Sequence, residues 1–278
     1  MLLCGLLATV PAWSQARGDT FAQAKANKRA QMTCIFVHTP GFISESSPGE
    51  YEGILVEIMN DFKAYVQSKY GIALTYTYQK VPNDDFHGML QQVKSSRGGV
   101  VALSNITITQ ARRSMYDFSV PYMSNVPVLI SHPSVPELTS LDDFGTVFGG
   151  KQAYVAQGTT HETRLKDFNS QYGGNLTFNH VSYEQVIVDR VASDPNAISS
   201  IDFIYFANAL KNKVQIKRHA VGDGESEKFG LTLPKNNDWT PIFDEFLSSG
   251  YLTNSNYRKM ISEHLGYHAL SLLSTLSN

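Results

Sequence analysis

The chain of 278 residues is 42% hydrophobic and 17% charged, with 23 Lys and Arg against 25 Asp and Glu. That length fits two lobes or one large domain and supplies ample apolar material for a core. A net charge of −2 leaves no basic surface for nucleic acid and no polybasic patch for an anionic membrane.

The N-terminus opens on an apolar run, residues 2–10, broken by Pro11 and followed by "SQA" ending at Ala16. Small residues at Ser14 and Ala16 suit a signal peptidase, and the run is too short to span a bilayer. Residues 1–16 therefore read as a signal peptide, with a buried strand as the alternative, although no Lys or Arg precedes the run. Cleavage there removes Cys4 and leaves Cys34 as the single cysteine, so no intrachain disulfide forms. The mature protein is expected to be periplasmic and soluble.

Strands and helices then alternate. "TCIFV" (33–37) reads as a buried strand with Cys34 as a small hydrophobe. Residues 54–71 read as a helix, since Ile54, Ile58, Phe62 and Val66 fall four apart and Gly71 stops the run. A strand at 73–78, a helix at 86–93 and an apolar strand at 100–106 follow. Further on come a strand at 126–132, a helix around 140–144, a strand at 152–156 and a helix from Thr160. The pattern continues through "LTFNHV", "YEQVIVDRVAS", "AISSI", "FIYFANALK" and "VQIKR", and closes with helices near 239–249 and 254–273. "GDGESEK" (222–228) is the most turn-rich segment. Alternation of this kind predicts an α/β protein with mainly parallel sheets.

Two strand-to-helix junctions carry unusual chemistry, and ligands in open α/β sheets sit where strands end and helices begin. In "SNITITQARRSMYDFSVPYM" (104–123), Thr109 is placed to cap a short helix bearing Arg112 and Arg113. In "VAQGTTHETRL" (155–165), Thr159 and Glu162 form a capping-box pattern. Free N–H groups at such a start attract anions, and an Arg fork grips a carboxylate. The plainer alternative is a capped helix in which Arg113 pairs with Asp117.

The first motif closely resembles the central motif of extracytoplasmic solute-binding proteins of family 3, the polar amino-acid receptors of ABC importers. "QGTTHETRL" resembles their second-lobe loop, and "GILVEIMNDF", "DDFHGMLQQV", "IDFIYFANAL" and "FGLTLPKNNDW" follow in the same order, from about residue 20 to 266. The resemblance implies a bilobed type II periplasmic-binding-protein fold, two mixed, mainly parallel sheets joined by a two-strand hinge. Lobe 1 would comprise residues 17–123 and 230–278, lobe 2 residues 127–226, and the hinge would lie near 124–127 and 226–231.

By the same resemblance, Arg112, Thr107 and the backbone N–H of Thr160 would hold a ligand carboxylate. Asp202 and the Asn105 carbonyl would receive its ammonium, and Phe86 would pack against it. Asp202 also suits a helix N-cap, and Phe86 also suits the core. Where the family offers an Asp after the first strand, this chain has "VHTPGF", so His38 and His161 are placed to meet a polar or acidic ligand group. No cofactor or metal is implied, and the partner would be an ABC permease or a chemoreceptor, with the receptor a monomer. His264 and His268 stand four apart without the Glu of a zinc protease, and read as a solvated helix face. The alternatives in other classes are a dehydratase-like lyase or a sensor module on the same fold.

Overall fold

The computed structural model describes residues 15–273; the expected signal peptide, apart from its last two residues, lies outside them, as does Cys4. Helix α1 (Phe21–Asn27) leads into strand β1 (Arg29–Phe36). The hairpin β2 (Ser44–Ser47) and β3 (Glu50–Glu52) precedes α2 (Ile54–Tyr70), β4 (Ala73–Lys80), α3 (Phe86–Ser95) and β5 (Val100–Leu103). After α4 (Gln110–Arg113) come β6 (Tyr116–Phe118), β7 (Met123–Asn125) and β8 (Pro127–Ser131). The next stretch holds α5 (Phe144–Phe148), β9 (Gln152–Val155), α6 (Thr160–Tyr172), β10 (Thr177–His180) and α7 (Glu184–Ser193). Then follow β11 (Ala197–Asp202), α8 (Phe203–Lys211), β12 (Lys217–Arg218), β13 (Glu227–Phe229) and β14 (Thr232–Pro234). Helices α9 (Thr240–Ser248), α10 (Ser255–Leu265) and α11 (Leu270–Leu273) end the described chain.

These strands form two five-stranded sheets, ordered β4-β1-β5-β14-β6 and β10-β9-β11-β8-β12. In the first, β1 runs parallel to both β4 and β5, because α2 and α3 return the chain to the same sheet edge. Strand β14 enters from the far end of the sequence and pairs antiparallel with β5 and β6. In the second sheet β9, β10 and β11 are parallel, while β8 runs antiparallel to β11 and β12. The architecture is thus the mixed α/β, bilobed one. The chain leaves the first sheet along β7 and returns along β13, and these two strands pair with Glu227 opposite Asn125 and Phe229 opposite Met123.

Helix α2 shows why the first half folds as it does. Ile54, Ile58, Phe62 and Val66 are all buried, as their four-residue spacing requires. Gly53 precedes the helix at φ +117°, and a Cβ there would sit 2.4 Å from the Phe42 carbonyl oxygen, so only glycine fits. Gly71 ends the helix in the left-handed conformation. Phe62 stacks on Phe243 of α9 with centroids 3.9 Å apart and meets Trp239 edge-on at 6.1 Å. Burying such a ring contributes roughly 3 kcal/mol or more, so this aromatic cluster fastens the C-terminal helices to the first sheet. Cys34 is fully buried in β1, where burial pushes its thiol pKa up, in keeping with a structural role.

Several boundaries differ from the sequence reading. Strand β1 starts at Arg29, because Arg29 to Thr33 pair with β4 before the apolar run begins. The strand at 100–106 stops at Leu103, freeing residues 104–109 to turn toward the second sheet. The closing helix is broken at Gly266, which takes φ +85°. The loop 222–228 is not wholly irregular, since its end joins β13. Among the described residues no helix is long and apolar enough to cross a membrane.

Candidate functional site

The carboxyl ends of β5 and β11 face each other, and the residues just beyond them build a buried polar network. Asp202 closes β11 and is 1% exposed, yet its carboxylate makes no capping bond to α8. It turns instead toward the first sheet. Asp202 Oδ1 accepts a hydrogen bond of 2.6 Å from Asn125 Nδ2 and lies 2.9 Å from His161 Nε2, while Oδ2 accepts from Asn105 Nδ2. Asn105 Nδ2 also reaches Glu184 Oε1 at 3.2 Å, and His161 Nδ1 lies 3.1 Å from Ser200 Oγ. Asp202 thus stands at the N-cap position of α8, but its side chain does not serve as the cap.

Beside this network stands Arg112, 8% exposed. Thr109 caps α4 by accepting from the Arg112 N–H at 3.1 Å, which fixes where that side chain begins. Its guanidinium donates to the Thr107 carbonyl at 2.9 Å and across the cleft to the Gly158 carbonyl at 3.1 Å. Phe86 lies under it, with the guanidinium carbon 5.5 Å from the ring centroid. Burial draws the Arg112 pKa down to about 10, and Glu227 opposes that shift. No carboxylate oxygen lies within 4.0 Å of Arg112 among the described residues. The hydroxyls of Thr107 and Thr160 come within 3.5 Å across the same gap.

The loop opposite Arg112 is tightly braced. Thr159 accepts from the Glu162 N–H at 3.2 Å, as the capping pattern anticipates. Glu162 reaches one residue further back than a capping box, to the Gly158 N–H at 2.7 Å. Burial alone would raise its pKa, but Lys166, that backbone donor and His180 together hold it down at about 2. Grooves of about 460 and 260 Å³ open on either flank of the cleft, one lined by Arg112, Thr160 and Arg164, the other by Asp84, Phe86 and His180. A further surface depression, about 670 Å³, lies elsewhere, between Lys94–Gly98 and Pro234–Asp238, and contains none of these groups.

Of the residues singled out in the sequence, Asp202, His161 and Asn105 form one network, and Arg112, Thr107, Thr160 and Phe86 gather beside it. His38 stands apart: its backbone N–H donates to Asp84 at 2.8 Å, its ring meets Tyr183 edge-on at 5.0 Å, and burial lowers its pKa. It forms a contact at the cleft rim, away from Asp202. Arg113 does not pair with Asp117, which is held by Lys235 at 3.1 Å. His264 is half-buried with its ring hydrogen-bonded to Glu57, and His268 is exposed.

Sequence reading missed Glu184, Glu227 and Asn125. Glu184 begins α7, where an acidic residue is ordinary complement to the helix dipole. Glu227 hid in the polar loop, and only the pairing of β13 with β7 brings it into the cleft. His161, Glu184 and Asp202 each present a donor atom within 4.8 Å of the others, which is also a geometry able to hold a cation. A buried Ser131–His219 pair, 2.7 Å apart, resembles a nucleophile and base only superficially. His219 Nδ1 accepts from the Leu138 N–H, so its other nitrogen carries the proton and cannot take one from Ser131.

Known proteins share this fold. Residues 31–134 match the family model described as the ligated ion channel L-glutamate- and glycine-binding site. The arginine-, lysine-, histidine-binding protein ArtJ of Geobacillus stearothermophilus aligns over 89% of this chain and all of its own, with 18% identity and a TM-score of 0.67. The ancestral amino acid-binding protein AncCDT-1, a precursor of cyclohexadienyl dehydratase, aligns over 84% of this chain and 95% of its own, with 16% identity and a TM-score of 0.66. A lysine complex of a binding component of an ABC transporter from Wolinella succinogenes gives the same TM-score, 0.66, at 14% identity, over 84% of this chain and 95% of its own.

The network makes a pH-dependent contribution to stability. Burial disfavours a charged His161, but Asp202, its hydrogen bond, Glu227 and Glu184 outweigh that and raise the pKa above 6.5. Glu184 is raised as well, first by burial and then by Asp202. A raised folded-state pKa means that the native protein holds the proton more firmly; the His161 term is complete below 6.5 and is lost as pH rises through the folded value. Urea midpoints of the wild type and of His161→Gln should therefore converge as pH climbs from about 6 to about 9. A difference independent of pH would contradict the assignment. The protein thus has the bilobed fold of the extracytoplasmic amino-acid-binding proteins and is similar to solute-binding family 3.

Proposed function

We propose that this protein is an exported receptor that captures a small amino acid between two lobes and presents it to an ABC importer. The observation that carries the reading is Arg112: a buried guanidinium, bridging both halves, whose partners are neutral carbonyls rather than a carboxylate. A buried charge of this kind is costly until an opposite charge reaches it. A ligand carboxylate supplies that charge, with Thr107 and Thr160 beside it, and an acidic floor that includes Asp202, Glu184 and Glu227 faces an ammonium. Phe86 covers one face of the planar guanidinium and shields it from water. The amino-acid ligands named for ArtJ and AncCDT-1 support the same class.

Residues 17–123 with 230–278 act as one lobe and 127–226 as the other, turning about 124–127 and 226–231. The protein binds without turnover, works as a monomer and meets its permease, or a chemoreceptor, in the periplasm. Export rests on the apolar N-terminal run and "SQA". N-terminal sequencing of protein recovered from the cell envelope should begin at Arg17, and an intact Met1 on cytosolic protein would contradict it.

Calorimetry against the twenty L-amino acids tests the clamp. Arg112→Ala should weaken the tightest of them at least roughly tenfold, about 1.4 kcal/mol. Arg112→Lys should recover part of that loss, since an ammonium lacks the planar fork. Arg113, exposed and lying over Phe118 at 6.0 Å, faces away, and Arg113→Ala should change little. Unchanged binding in Arg112→Ala would sink the carboxylate clamp.

A further inference from the structure

Within the cleft the acids are not equivalent. Asp202 is already served by Asn125, Asn105 and His161, and the last of these is a cation when protonated. An incoming ammonium would have to displace one of those donors. Glu227 differs. Its Oε2 accepts only from the Thr107 hydroxyl at 3.1 Å and, at a long 3.4 Å, from Asn125 Nδ2. No Lys, Arg or His nitrogen lies within 4.0 Å of it among the described residues.

The neighbourhood of Glu227 is short of donors. Asn125, which faces it in the hinge pairing, is fully buried, and its Oδ1 has no hydrogen-bond partner. No cation touches the Glu227 carboxylate among the described residues, although Arg112, Arg164 and His161 act on it from further off. It stands beside an unpaired buried amide oxygen, and the two call for a group rich in N–H bonds and positively charged. An ammonium brings three donors and no acceptor. The Thr107 hydroxyl links this spot to the Arg112 carboxylate clamp through the Thr107 carbonyl, so one small zwitterion spans both.

Resting on the receptor reading above, we propose that Glu227, on hinge strand β13, receives the ligand ammonium, and that Asp202 with His161 is an internal pair that shapes the floor. The ligand's positive end then touches the hinge itself. Glu227 thereby acts as the residue that selects amino acids over carboxylates without an amine.

The test compares the L-amino acid that binds wild type most tightly with the 2-hydroxy acid of the same side chain. Both are titrated by calorimetry into EDTA-treated protein, so that no metal held by His161, Glu184 and Asp202 stands in for the ammonium. Wild type should prefer the amino acid at least about tenfold. Glu227→Gln, which keeps the size and the acceptor for Thr107, should erase most of that preference while leaving hydroxy-acid affinity nearly unchanged. Asp202→Asn should lower the melting temperature and preserve the preference. Equal losses for both ligands in Glu227→Gln, tighter binding of the amino acid by it, or loss of the preference in Asp202→Asn alone would each overturn the assignment. If no L-amino acid binds wild type, the receptor reading itself fails. If amino and hydroxy acids bind wild type equally and Arg112→Ala abolishes both, the receptor stands and the role of Glu227 falls.

Discussion

Charge buried between two sheets is the constraint on which the rest depends. Arg112 from the first half and Asp202, Glu184 and His161 from the second are all at least nine-tenths buried where the halves meet. Removing such groups from water costs several kcal/mol each unless partners complete them. The cross-cleft bonds of Arg112 to Gly158 and of Asn105 to Asp202 and Glu184 recover part of that cost. They place no anion in contact with Arg112 and no cation in contact with Glu227 among the described residues, and these two act on each other only from beyond 4.0 Å. On the proposed receptor reading, a zwitterion completes both ends at once.

The fold makes that placement with little backbone strain. Both sheets end their central strands at the cleft, so β5 and β11 deliver Asn105 and Asp202 from opposite sides without long side chains having to reach. The loop before α6 is locked by Glu162 on the Gly158 N–H, which holds the Gly158 carbonyl opposite Arg112. The paired strands β7 and β13 lie between the two sheets in the chain and contribute polar groups of their own, Asn125 and Glu227. On the proposed reading, in which these strands are the hinge, ligand recognition and lobe movement share residues.

Much of this was legible in the sequence, for identifiable reasons. The four-residue spacing in α2 and the apolar strands revealed the α/β alternation because burial enforces both periodicities. Arg112, Thr107 and Thr160 could be singled out because they sit in short motifs that carry the family resemblance, and the structure gathers all three at one gap. Glu227 and Asn125 could not, since they are 102 residues apart and meet only through the pairing of β7 with β13. Glu184 was masked by an ordinary position at a helix start. His38, singled out by its place after β1, is hydrogen-bonded neither to the Asp202 network nor to the Arg112 group among the described residues: its backbone is tied to Asp84 and its ring packs on Tyr183.

Closure around a ligand must follow from differential affinity, because a ligand shifts an equilibrium only by binding one state better. On the proposed reading, the charges of Arg112 and Glu227 favour an open, hydrated cleft without ligand, and a bound ligand completes the closed arrangement. Small-angle scattering of EDTA-treated protein, before and after saturation with its tightest L-amino acid, measures this directly. The account predicts a smaller radius of gyration on saturation, whereas an unchanged radius at a ligand concentration that calorimetry shows to be saturating would contradict it.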